Sequence, residues 1–379
     1  MSESYQKFRG SIAFKFIFLW LTLAFVGGLY LRFSSRGGET SHSPQVVHMA
    51  ERLIVVAQYS DNLTDDTRAK LREVALQIEQ DEDLKALIKG ELVDSVVIEE
   101  LSSTYRLMAR QIMEEKPERT ERLKEIAREG ERRFSITAGL LSLVAVFCLG
   151  TFFLPKRETS EPVSPQIDPA GAIGLFLLWD VSGFFGGGIL AGFLRQVLDP
   201  FLMVFVLQAI VYGWMFYLLT KAGLPVRELF KPFRWSWVGK GYLLCLGSVF
   251  VVNVSMAKLL GESPQSENPV LKLFLDAAAW KFGFLGLLVV FVGPVFEELM
   301  FRGWLVGSLR EKWGDTAAIV VSSALFAVIH GDLPGMPALF ALGLVFGWVY
   351  RRSGSLWASI LVHGMWNATT FSLLISVMP

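Results

Sequence analysis

The sequence predicts an all-α protein: a polytopic transmembrane helical bundle of about nine spans that carries a soluble helical insertion. Three observations predict it. The 379 residues are 52% hydrophobic and only 19% charged, with a mean hydropathy of +0.44. The apolar residues cluster in runs of about 20, the length a helix needs to cross a bilayer. One stretch, 32–133, departs from that pattern and is charged and helix-periodic instead.

The apolar runs fall at 12–31, 134–154, 171–194, 201–220, 241–260, 282–300, 315–331, 336–350 and 355–377. The first follows Lys7 and Arg9 but is long and is not followed by a small-x-small cleavage site, so residues 1–31 read as an uncleaved membrane anchor. In 32–133, TRAKLREVALQIEQDEDLKALIKGELV and YRLMARQIMEEKPERTERLKEIAREGERRF space apolar residues at helical intervals, with Pro117 interrupting the second. This stretch reads as a soluble helical module, serving either as a spacer or as a surface for a partner protein. A second membrane helix follows at 134–154, then a polar linker at 155–170, then a core at 171–379 that holds the other spans.

Charge and cysteine usage exclude several classes. The 36 basic and 36 acidic residues balance, which gives no hint of a nucleic-acid partner. Cys148 and Cys245 both lie in apolar runs, leaving neither a disulfide framework nor a Cys-based zinc site. Short loops set the orientation. KAGLPVRELFKPFRWSWVGK is strongly basic, Arg310 with Lys312 and Arg351 with Arg352 mark further basic turns, and GDLPGMP carries no base. Alternating the spans through these assignments places the N-terminus in the cytoplasm and 32–133 outside it, in a bacterial inner membrane.

An ionisable residue inside a span is costly and is a functional candidate by default. Here these are Glu297, Glu298, Arg302, His330 and His363. His42 and His48, the other two of the four histidines, sit in a polar segment and need no special role. In EELMFR, Glu298 and Arg302 are four apart, share a helix face and can pair, while Glu297 is offset. Phe326 and His330 repeat that spacing in FAVIH, as do His363 and Asn367 in HGMWN. The rise from the basic turns is roughly 20 Å to Glu297, 22 Å to His330, and 17 and 22 Å to His363 and Asn367. Side chains from three helices can therefore meet in one layer, nearer the outer leaflet.

Several chemistries suit such a layer. A Glu–Arg pair can staple a bundle or line a transport path, and Asp180 near GFFGGG and Asn253 would then be transporter contacts. GFFGGG also suits close helix packing. Two histidines and a carboxylate could bind zinc, although no HExxH is present. Without a metal, a desolvated carboxylate is a stronger general base toward water. A histidine beside it could hold that water, and His363 and Asn367 could donate to an oxyanion.

The ordered trio EELMFR, FAVIH and HGMWN, with RRSGSLWASILVH before the last histidine, resembles the CPBP intramembrane proteases, the family of CAAX prenyl endopeptidases and bacterial Abi-type proteins. The resemblance covers roughly 280–370 and does not reach 1–160. It implies a glutamate-dependent intramembrane endopeptidase with no cofactor, although zinc has also been proposed for the family. It further implies that Glu297 and His330 activate water and that His363 and Asn367 form the oxyanion site. Glu298, Arg302 and Phe326 would support them. The implied partners are a membrane-associated protein or peptide substrate and the lipid bilayer. Cleavage near the outer leaflet would suit exported proteins better than prenylated cytosolic tails.

Overall fold

The computed structural model describes residues 15, 17–26, 44–78, 82–90, 103–154, 161–165, 167–260 and 279–377. The remainder of the expected anchor, His42, residues 155–160 and 166 of the linker, and residues 261–278 lie outside these residues. The described chain is helical and contains no strand. It divides into two compact units, residues 40–144 with 369–379, and residues 1–39 with 145–368.

The first unit is built from α2 (Pro44–Tyr59), α3 (Asp65–Ile78), α4 (Glu82–Lys89), α5 (Ser103–Met113) and the N-terminal part of α6 (Pro117–Gly150). Pro117 opens α6 because its missing N–H costs nothing at the first turn. Arg119 bridges the turn between α5 and α6 by donating to the Arg110 and Glu114 carbonyls at 2.7 and 3.0 Å, satisfying the C-terminal end of α5. Ile54, Val55, Ala75, Ile88, Met108 and Leu123 form a buried core of this unit's own. Glu51 reaches across it to accept the Tyr105 backbone N–H at 3.1 Å.

The second unit holds α1 (Ile17–Val26), α7 (Pro169–Leu194), α8 (Pro200–Lys221), α9 (Ser236–Leu260) and the helices that follow. Asp168 and Asp199 cap α7 and α8, each accepting backbone N–H groups ahead of a proline at N1. Six helical runs among the described residues are long and apolar enough to cross a membrane. One of them, Trp280–Ile329, has 50 residues, which would extend about 75 Å, more than twice a bilayer's hydrocarbon core. Gly314 divides it: φ 78° and ψ 165° are open to glycine but not to a residue with a Cβ. The two parts are α10 (279–313) and α11 (315–329). α12 (Met336–Ser353) and α13 (Leu356–Val377) complete the bundle, joined through Gly354, whose left-handed φ of 68° ends α12. Among the described residues, the apolar runs of the sequence thus fall on helices of this integral membrane protein.

Small residues set the closest helix approaches. A Cβ on Gly343 of α12 would lie 2.8 Å from Ser323 of α11, and one on Gly347 would lie 2.8 Å from Ile319. The expected packing surface at GFFGGG is not of this kind. Ser182–Gly186 forms a π-helical turn, and a Cβ on Gly186, Gly187 or Gly188 would meet nothing within 4 Å. Only Gly183, at the start of the motif, faces another helix, with Val211 of α8 3.6 Å from where its Cβ would be. Asn253 is exposed on α9, whereas Asp180 is buried on α7.

Candidate active site

α10 does not run as a regular helix past the two glutamates. Leu288–Val292 is π-helical, Gly293–Glu298 is α-helical, and Leu299–Val306 is π-helical again. Such inserted turns leave carbonyls without their usual donors and occur often at functional sites. Here the sequence explains one of them. In the π register the Gly293 N–H bonds to Leu288 O, five residues back, so the donor for Val289 O would be residue 294. Residue 294 is proline and has no N–H. The side-chain amide of Asn367 on α13 supplies the missing donor, at 2.9 Å from Val289 O. Gly364, one turn earlier on α13, admits the same segment, since a Cβ there would sit 2.7 Å from Val290 O. In the second π turn, Ser322 Oγ donates to Phe301 O at 2.7 Å.

Glu298 lies at the centre of the site and is fully buried, as is Arg302. They pair at 2.8 Å across one turn of α10. Arg302 also donates to Gly343 O at 3.0 Å, and its guanidinium lies over the Phe326 and Phe346 rings at 4.9 and 5.2 Å. Glu298 receives two groups from α13, the hydroxyl of Ser359 and Nδ1 of His363, the latter at 3.0 Å. A carboxylate paired with arginine is an acceptor only, so the His363 proton lies on Nδ1. Its imidazole stacks on Phe346 with ring centroids 4.5 Å apart. Nε2 is thereby turned toward Glu297, 3.7 Å from Oε2.

Glu297 itself is half-buried, beside Phe296, which stacks on Tyr212 of α8 at 4.5 Å. His330 ends α11, with Nδ1 2.6 Å from Phe326 O. Its ring contacts Phe326, and Phe326 in turn contacts His363, at centroid distances of 4.7 and 5.8 Å. The fold therefore joins Glu297, Glu298, Arg302, His363 and Asn367 through direct contacts across α10 and α13 or, for Asn367, through the π turn. His330 joins them through Phe326. Ser359 escaped the sequence reading, although its position four residues before His363 placed it on the same face of α13. Gly343 and Phe346 carry no ionisable group and gave no signal. Among the described residues no three His, Cys, Asp or Glu side chains are grouped to hold a metal. His363 Nδ1, committed to Glu298, would not be free as a ligand.

Residues 279–369 match the family described as type II CAAX prenyl endopeptidase Rce1-like. The putative membrane peptidase YdiL of Bacillus subtilis is 29% identical over 146 residues, covering 38% of this chain and 57% of the relative. The membrane-embedded CAAX protease MroQ of Staphylococcus aureus is 29% identical over 154 residues, covering 39% and 61%. The UPF0177 protein YxdF of Lactococcus lactis is 34% identical over 85 residues, covering 22% and 44%. The chain thus spans about three-fifths of the length of the first two relatives, and no solved structure matches it. The segment that the family model matches, 279–369, carries the buried Glu298–Arg302–His363 cluster and is similar to the Rce1-like CAAX proteases.

Proposed function

We propose that this chain is an intramembrane endopeptidase of a bacterial inner membrane that hydrolyses a peptide bond in a membrane-associated protein or peptide. One observation carries the reading: a buried Glu298–Arg302 pair holds His363 so that its second nitrogen faces Glu297. Glu297 is the general base and takes a proton from water held by His330, and the water oxygen bonds to the scissile carbonyl carbon. The resulting oxyanion accepts from His363 Nε2 and from the Asn367 amide. Because Nδ1–H is given to Glu298, donation to the oxyanion uses a second proton, carried on Nε2 of the same ring. Asn367 has two N–H groups, and the bond to Val289 O fixes the amide plane with one of them. Collapse of the intermediate breaks the C–N bond, and the proton on Glu297 passes to the leaving amine. The scheme needs no metal. The 32–133 module would recognise the substrate or a partner protein.

Glu297→Gln removes the base with little change in volume. New protein N- and C-termini in membranes should be compared between cells carrying wild type and this variant at equal abundance. Products that vanish in the variant would establish proteolysis and name the substrate. An unchanged profile would sink the catalytic reading and leave a non-catalytic protein of the same fold.

A further inference from the structure

Away from the site, a cavity of about 520 Å³ opens between the first turns of α9 and α11 and the last turn of α12. That volume falls in the roughly 300–1,000 Å³ range of small-molecule sites. Its distance from the catalytic layer is set by α11: Asp315, in the cavity wall, precedes His330 by 15 residues, roughly 22 Å of helix. One wall is apolar and aromatic. Trp237 and Trp348 meet edge to face with centroids 5.3 Å apart, and Ile319 lies beside them. The Trp237 indole Nε1 finds no acceptor among the described residues.

The other wall is charged. Glu161 and Asp315 are matched by two arginines: Arg310 reaches them at 3.3 and 3.0 Å, and Arg351 reaches Glu161 at 3.0 Å and also bonds Asp315. Arg352 in the wall and Lys240, 4.7 Å from the centroid of the Trp237 ring, are additional to these pairs. The balance of Arg310, Arg351, Arg352 and Lys240 against Glu161 and Asp315 is cationic. A cationic rim over a tryptophan-lined cavity, at one end of a membrane bundle, matches the boundary between headgroups and acyl chains.

We propose that this cavity binds the phosphate headgroup of an anionic phospholipid. Arg352 and Lys240 would supply charge, the Trp237 N–H a hydrogen bond, and the tryptophan and Ile319 faces the contact for the upper acyl chains. The bound lipid would brace α9, α11 and α12, of which α11 and α12 supply Phe326, Gly343 and Phe346 to the Glu298–Arg302 cluster. The assignment does not depend on the proteolytic reading.

The test uses delipidated full-length protein in a non-ionic detergent. Thermal unfolding and lipid retention by native mass spectrometry are followed on adding phosphatidylglycerol, phosphatidylcholine or soluble glycerol phosphate. Phosphatidylglycerol should be retained and should raise Tm where phosphatidylcholine does not. The pair Arg352→Gln and Lys240→Gln should weaken its binding about thirtyfold, the effect of two cations at an anionic headgroup. Arg352→Lys should restore most of Arg352's share, and Trp237→Phe should weaken binding by several-fold. Equal responses to the two lipids, or an unchanged double variant, would overturn the proposal. Glycerol phosphate acting as well as phosphatidylglycerol would reject the lipid and assign a free phosphate ester.

Discussion

At the scale of single residues, the two adjacent glutamates are made different by their surroundings. Glu298 is fully buried and holds an arginine, a histidine and a serine, whereas Glu297 is half-buried and lies 3.7 Å from the second nitrogen of that histidine. Removing one partner of a buried ion pair strands the other, at a cost of about 3–5 kcal/mol. Glu298→Ala should therefore lower the unfolding free energy by about that amount, as measured by denaturation in detergent, whereas Glu297→Gln should leave it nearly unchanged. Equal stability losses would show that the two carboxylates are not separated in this way. Asn367→Ala tests the oxyanion role. It should lower kcat by roughly 10²–10³-fold with a smaller change in KM, because an oxyanion donor acts in the transition state. A rise in KM alone would rule that role out.

At the scale of elements, the π-helical turns of α10 decide where the α13 side chains go. Pro294 leaves Val289 O free, and Asn367 takes it. Pro294→Ala restores an N–H that competes for that carbonyl. The variant should stay folded and lose turnover several-fold, read as kcat at unchanged expression; a fully active variant would show that Asn367 needs no such anchor. Gly364→Ala pushes a methyl group against Val290 O, where a Cβ has only 2.7 Å. α13 must then withdraw from α10, at a cost of about 1–3 kcal/mol for overpacking, and His363 moves with it. Activity should fall further in this variant than in a Gly188→Ala control, since Gly188 has open space around it.

At the scale of the whole molecule, two units carry separate cores. The core of residues 40–144 needs no apolar solvent, being built from amphipathic helices around Ile54, Ile88 and Met108. A soluble fragment of residues 40–133 should be helical by circular dichroism and should melt cooperatively in aqueous buffer. A non-cooperative melt would show that the core depends on the rest of the chain. The membrane unit follows the opposite rule. Its exposed Phe193, Val197, Phe250 and Leu259 suit hydrocarbon, and its Glu298–Arg302 pair is fully buried.

The sequence by itself determined the helical class, the positions of the apolar segments and the Glu298–Arg302 pair. Each of these rests on local periodicity: a span is contiguous, and residues four apart on a helix are neighbours. Local spacing also marked His363 and Asn367 as sharing a face. Only the tertiary structure decided what that face meets. The π turns, the free Val289 carbonyl, the Ser359 bond to Glu298 and the phenylalanine rings around Arg302 all depend on how closely α10, α12 and α13 approach. That approach is governed by glycines at 343 and 364, whose significance lies in a neighbour distant in sequence. The same reason explains GFFGGG. Its glycines resemble those at a close helix contact, yet nothing in the described chain lies within 4 Å of a Cβ on Gly186, Gly187 or Gly188, and only the packed bundle distinguishes the two cases.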